Sequence, residues 1–181
     1  MNAITPESLK DAGLSQFQRG EYDGALETFN TAVAAFAAAN NAPGQAEMYN
    51  NIGVIHRLRG RYEEALQAFD SAQTLCITAN DANRRAQVLG NMGDLYNNLG
   101  NREQAARCYS DAAALFAQTG DRDKQSQVLR ALSLMRMRQG NWYEAMMRMN
   151  ESLTVKPHRG LFGGIFLGML RFALKLFGHS Q

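Results

Sequence analysis

Gly20, Gly60, Gly100 and Gly140 stand 40 residues apart, and three more columns keep the same step. Five residues after each glycine come Ala25, Ala65, Ala105 and Ala145, and four further on come Phe29, Phe69, Tyr109 and Met149. Seven before each glycine lie Gly13, Gly53, Gly93 and Ser133. The segments read GEYDGALETFNTAV, GRYEEALQAFDSAQ, GNREQAARCYSDAA and GNWYEAMMRMNESL. A unit of this length cannot bury its apolar face alone, so the copies must stack and supply one another's core.

Each unit reads as two helices. The first carries apolar residues at helical spacing, as in Leu89, Met92, Leu95, Tyr96 and Leu99. It stops at the recurring glycine, which accepts a positive φ just past a helix C-terminus. The second begins about two residues later and keeps the spacing in Tyr62, Ala65, Leu66, Phe69, Ala72 and Leu75. So short a connection predicts an antiparallel hairpin. The small columns are expected where the two helices cross, because bulk there would hold the axes apart. Breakers separate the units: Asn40-Asn41-Ala42-Pro43-Gly44, Asn80-Asp81-Ala82-Asn83 and Thr119-Gly120-Asp121-Arg122-Asp123. Thr5-Pro6-Glu7 offers an N-cap, a first-turn proline and a first-turn acid.

These residues resemble the tetratricopeptide repeat, whose pattern sets small residues at positions 8 and 27, glycine at 15, aromatics at 17 and 24, and alanine at 20. Tyr22, Tyr62 and Trp142 fill position 17, and Ala32, Ala72, Ala112 and Ser152 fill position 27. Arg102, Ser133 and Met149 depart from it. The 40-residue period is similar to the lengthened variant of kinesin light chains and cell-polarity adaptors. The resemblance implies an all-α fold, a right-handed α-solenoid of four hairpins. Its units cover about 4–43, 44–83, 84–123 and 124–157 of a repeat region 1–157, with Pro157 stopping the last. Residues 158–181 are expected to form a separate C-terminal apolar and basic helix.

Composition narrows the function. Hydrophobic and charged contents of 45% and 20% suit a folded chain. The net charge of +2 conceals an asymmetry: residues 156–181 hold Lys156, Arg159, Arg171 and Lys175 and no acid, leaving 15 bases against 17 acids before them. A slightly acidic body lacks the broad positive footprint of a nucleic-acid binder. MNAITPESLK shows no secretory signal, so a cytoplasmic protein is expected, peripheral on the cytoplasmic face of a membrane if its tail anchors it. Cys76 and Cys108 lie in apolar helical contexts and read as reduced, buried thiols. His56, His158 and His179 have no carboxylate or cysteine at triad or ligand spacing, so no catalytic residue, metal or cofactor is expected and the chain reads as a non-enzyme.

A curved solenoid offers a concave face to peptides or partner helices. The resemblance places that face at positions 2, 5, 6, 9, 12 and 13 of each first helix. From these the expected partner-binding residues are Asn50, Asn51, Arg57, Asn91, Asp94, Asn97, Asn98, Arg130 and Arg138. Asn51 and Asn91 match the asparagine with which related repeats grip a ligand backbone. A carboxamide carries donor and acceptor together and so reads a main chain whatever its side chains. Asparagine is also a poor helix former, so its clustering needs a reason beyond structure. Arg57, Arg130 and Arg138 are expected to make one end of the groove mildly basic.

The tail GLFGGIFLGMLRFALKLFG remains. On a helix, Gly164, Gly168, Arg171, Lys175 and Gly178 fall within roughly 80° of one another. The attachment set is Leu161, Phe162, Ile165, Phe166, Leu167, Leu170, Arg171, Phe172, Lys175 and Phe177, too much apolar circumference for a cap alone. Three readings stand: an interfacial helix, a helix docked on a partner or second copy, and a membrane span burdened by Arg171 near its middle. Gly160, Gly164 and Gly168 would permit a close helix approach. The expected function is a protein-interaction scaffold with a tail that attaches it to a membrane or membrane-protein complex, assisting complex assembly. The alternative is a self-assembly subunit whose tail fills the groove of a neighbouring copy.

Overall fold

The computed structural model describes residues 5–155 and 161–178 and, in the second stretch, the side chains of residues 167–175. Among the described residues there are nine α-helices and no strand. In order they are α1 Pro6–Gln18, α2 Tyr22–Ala38, α3 Ala42–Leu58, α4 Tyr62–Thr78, α5 Ala82–Asn98, α6 Arg102–Thr119, α7 Arg122–Arg138, α8 Trp142–Val155 and α9 Leu161–Gly178. The pairs α1/α2, α3/α4, α5/α6 and α7/α8 pack closely, each second helix packs on the next pair, and α9 rests on α8. The result is an α-solenoid. Pro157, expected to end the fourth unit, lies outside the described residues, as do His158, Gly160 and His179.

The helices end on a 20-residue beat, twice as fine as the sequence repeat. Left-handed residues stand at Gly20, Asn40, Gly60, Asn80, Gly100, Gly120 and Gly140. Asn40 and Asn80 take φ of 52°, a conformation asparagine tolerates better than most residues. The next residue then starts a helix. Asn41, Asp81, Asn101 and Asp121 each accept, through the side chain, the backbone N–H three residues on. Thr5 and Ser8 form a reciprocal capping box at the start of α1. Connections of two or three residues follow from this chemistry, and they force the antiparallel pairing.

The repeating columns are the core. Ala25, Ala65, Ala105 and Ala145, with Phe29, Phe69 and Tyr109, are buried. A Cβ on Gly13, Gly53 or Gly93 would lie 2.5–2.6 Å from the ring of Phe29, Phe69 or Tyr109, so each small residue makes room for its pair's aromatic. The fourth pair alters both partners. Met149 replaces the ring and Ser133 replaces glycine, its hydroxyl donating to the Ala145 carbonyl at 2.7 Å. Ser152 stands where the three earlier pairs have alanine and Ser126 where the second and third do, and the two hydrogen-bond reciprocally between α8 and α7. Those polar substitutions are satisfied, which is why the core tolerates them.

Candidate functional site

The 40-residue period returns the same face of α1, α3, α5 and α7 to one side of the stack. Cavities open along it: about 50 Å³ bounded by Leu14, Phe17, Phe29, Asn51 and Val54, between α1 and α3; about 260 Å³ including Glu47, Asn50, Arg84 and Gln87, between α3 and α5; and about 360 Å³ between α5 and α7. Gln87, Gly90, Asn91 and Asp94 line the last from α5 and Lys124, Gln127, Val128 and Ala131 from α7, while Tyr109 and Phe116 of α6 close its floor.

Polar side chains cross this face from one unit to the next. Asn91 donates its carboxamide N–H to Asn50 Oδ1 at 2.8 Å. Glu47 lies 3.5 Å from both Lys10 of α1 and Arg84 of α5. Arg84 also donates to its own cap residue, Asp81. Asp94 accepts the Tyr109 hydroxyl at 2.6 Å, and its other oxygen lies 3.7 Å from Arg57. Burial, and then that hydrogen bond, push the Tyr109 phenol above its ordinary range. Lys124 sits 2.9 Å from Asp121 and over the Phe116 ring. Charges on the inner face are therefore largely matched within it.

The residues expected to bind a partner are distributed as follows. Asn50, Asn51, Asn91 and Asp94 line the inner cavities. Arg57 and Asn97 are half-buried, and Asn98, Arg130 and Arg138 are exposed. Because Arg57 pairs with Asp94, exposed positive charge from that set rests on Arg130 and Arg138 of α7. Sequence reasoning missed Phe116, Lys124 and Val128. Phe116 comes from a second helix, and its signal was a column shared with the bulky Phe36.

The far end of the stack is a second apolar surface. On α9, Leu170 is buried and Leu167, Ala173 and Leu174 are half-buried against the body. Met169 and Phe172 stay 67% and 65% exposed beside the exposed Gly168, Arg171 and Lys175. Arg171 also donates to Asn150 of α8 at 3.3 Å. Trp142 is 61% exposed, whereas Tyr62, its counterpart in the second unit, packs on the core. A cavity of about 500 Å³ lies between α8 and Leu174. A Cβ on Gly168 would meet nothing within 4 Å, so the described residues of this chain leave that face of α9 open. The side chains of Leu161, Phe162, Ile165, Phe166 and Phe177, and the position of Gly160, lie outside the described residues. Among the described residues no helix is long and apolar enough to cross a membrane.

Cys76 and Cys108 are free and buried, and burial pushes each thiol up to about 11. His56 is partly buried with Nδ1 unpartnered, and burial, then the charge of Arg61, lower its pKa. Among the described residues no group of His, Cys, Asp and Glu is arranged to hold a metal ion.

The tetratricopeptide repeat profile matches residues 5–77 and 84–157. No curated protein matches the chain in sequence. Solved structures share the fold. BtubC (BKLC) from P. vanneervenii is 19% identical with a TM-score of 0.71, over 88% of this chain and 71% of that one. The apo form of RapI is 14% identical with a TM-score of 0.77, over 94% and 48%. A Rap protein complexed with competence and sporulation factor is 18% identical with a TM-score of 0.73, over 83% and 43%. The chain thus spans less than half of either Rap protein, and at these identities the likeness extends to the fold alone.

Proposed function

Because the chain belongs to the tetratricopeptide repeat family, we propose that it is a non-enzymatic interaction scaffold that holds a peptide or helix of a partner protein along its inner face. The observation that supports this is the row of cavities between successive inner helices, rimmed by Asn50, Asn51 and Asn91 and open to solvent. Carboxamides at regular intervals suit a guest whose main chain presents donors and acceptors at regular intervals. Asn50 and Asn91 spend one bond on each other, which leaves Asn50 an N–H donor and Asn91 a carbonyl oxygen for the guest. The complex of a structurally similar Rap protein with a named factor is consistent with this reading. Asn97, Asn98, Arg130 and Arg138 would extend the contact along the same face.

The exposed strip of α9 supports attachment to a membrane surface or membrane-protein complex. Phe172 and Met169 supply apolar insertion, and Arg171 and Lys175 supply positive charge at its flank. A scaffold held peripherally at a membrane in this way could assist assembly of a membrane complex.

Photocrosslinking tests the groove. A crosslinker placed at Asn51 or Asn91 in the full chain should capture discrete protein partners from the native lysate, and one on the outer helices, at Ser71, should not. Equal capture from both faces would remove the groove from the mechanism. Capture of a second copy of this chain would favour self-assembly.

A further inference from the structure

Five glycines lie within the inner helices, and four have a packing reason. A Cβ on Gly13, Gly44, Gly53 or Gly93 would come within 2.6 Å of a buried or nearly buried aromatic ring. Gly90 has none. There a Cβ would meet only Val128 Cγ2, at 3.7 Å, an ordinary contact. Glycine inside a helix is less stable than alanine, so the fold alone does not account for it.

Gly90 lies in the wall of the cavity between α5 and α7. The missing side chain keeps open a slot between Ala86 and Val128 with Tyr109 and Phe116 beneath. The carboxamides of Gln87, Asn91 and Gln127 stand around it. Its ionic groups are occupied: Asp94 by Tyr109 and Arg57, Lys124 by Asp121 and Asn83. A charged guest would find no open counter-charge there and would lose its hydration on entry.

We propose that this slot is a specificity subsite that takes one uncharged apolar side chain, of leucine or methionine size, from an extended peptide. The inference rests on the groove reading above. The carboxamides hold the peptide groups on either side of the buried residue, and Gly90 leaves the depth that residue needs. The cavity that contains the slot, about 360 Å³ and open to solvent, has room for such a side chain.

A random-peptide display library selected on the full chain tests this. The recovered peptides should share one large apolar position, and replacing it with alanine should abolish binding. Gly90→Ala, which fills part of the slot, should weaken binding by up to about tenfold, the effect of one methyl group in an apolar pocket. Its melting temperature should be unchanged or higher, which separates the loss from misfolding. Ala131→Leu, on the opposite wall, should weaken binding similarly. Peptides without a shared apolar residue, or bound equally well by Gly90→Ala and Ala131→Leu, would overturn the subsite. If the same peptides were lost on Asn51→Ala or Asn91→Ala, the groove would survive that result. Recovery of no peptide above background would count against both.

Discussion

A Cβ on Gly53 would lie 2.5 Å from Cε1 of Phe69, a ring with no exposed surface. The same relation joins Gly13 to Phe29 and Gly93 to Tyr109, so one small-against-aromatic contact sets the distance between the helices of three successive pairs. In the fourth, serine and methionine occupy the two columns, and Ser133 donates its hydroxyl to the Ala145 carbonyl instead.

Gly53→Ala is therefore expected to destabilise the fold despite alanine's higher helix propensity. The ring has no space to retreat into, and overpacking of this kind costs about 1–3 kcal/mol. Urea titration of the variant should show a lower midpoint. Gly90→Ala serves as the control, and equal midpoints for the two would remove the crossing argument.

Tyr109→Phe removes the hydroxyl that Asp94 accepts at 2.6 Å. The carboxylate keeps its longer contact to Arg57, so the expected loss is about 1.5 kcal/mol, the lower end of the range for hydrogen bonds to charged groups. Arg57→Ala should cost less than Tyr109→Phe. The reverse order in chemical denaturation would show that the ion pair dominates.

The two cysteines should be unreactive in the folded chain. With both thiols pushed up to about 11 by burial, only about 0.1% is thiolate at pH 8. Labelling by a thiol-specific chromogenic reagent should await unfolding and follow the denaturant transition. Rapid reaction of either thiol under native conditions would contradict the burial described for α4 and α6.

His56 makes stability depend on pH in a definite direction. Its pKa is lowered in the folded chain, so the folded state disfavours the proton that the unfolded state accepts near the ordinary histidine value of 6.5. Stability is full above that value and falls as pH drops through it towards the folded pKa. His56→Gln should flatten the urea midpoint between about pH 7.5 and about pH 5. An unchanged slope would assign the dependence to other groups.

Flotation with vesicles separates the roles of α9. Phosphatidylcholine vesicles containing phosphatidylglycerol should carry the full chain upward, and pure phosphatidylcholine should carry less. Phe172→Asp should abolish flotation, and Arg171→Gln with Lys175→Gln should remove the preference for anionic lipid. No flotation, with tail-dependent oligomers by light scattering, would support self-assembly instead.

Most of the architecture was legible in the chain because its period coincides with a physical unit. A column of small residues facing a column of aromatics can only be a helix crossing, and Asn-Asn, Asn-Asp or Gly-Asp at each junction ends one helix and caps the next. That Asn50, Asn51, Asn91 and Asp94 share one face was readable for the same reason. Their partners were not. Asn50 meets Asn91 and Arg57 meets Asp94 because of how far each pair rotates on the one before, a quantity no single repeat encodes.

The sequence by itself determined that this protein is a stack of helical pairs, since that follows from spacing along a helix; its inner-face residues were expected from the family resemblance. Only the tertiary structure decided which inner residues neutralise one another, that Gly90 opens a slot, and that α9 buries Leu170 while leaving Phe172 and Met169 to solvent. Those outcomes depend on the angles between helices, which arise from the packing of side chains far apart in the chain.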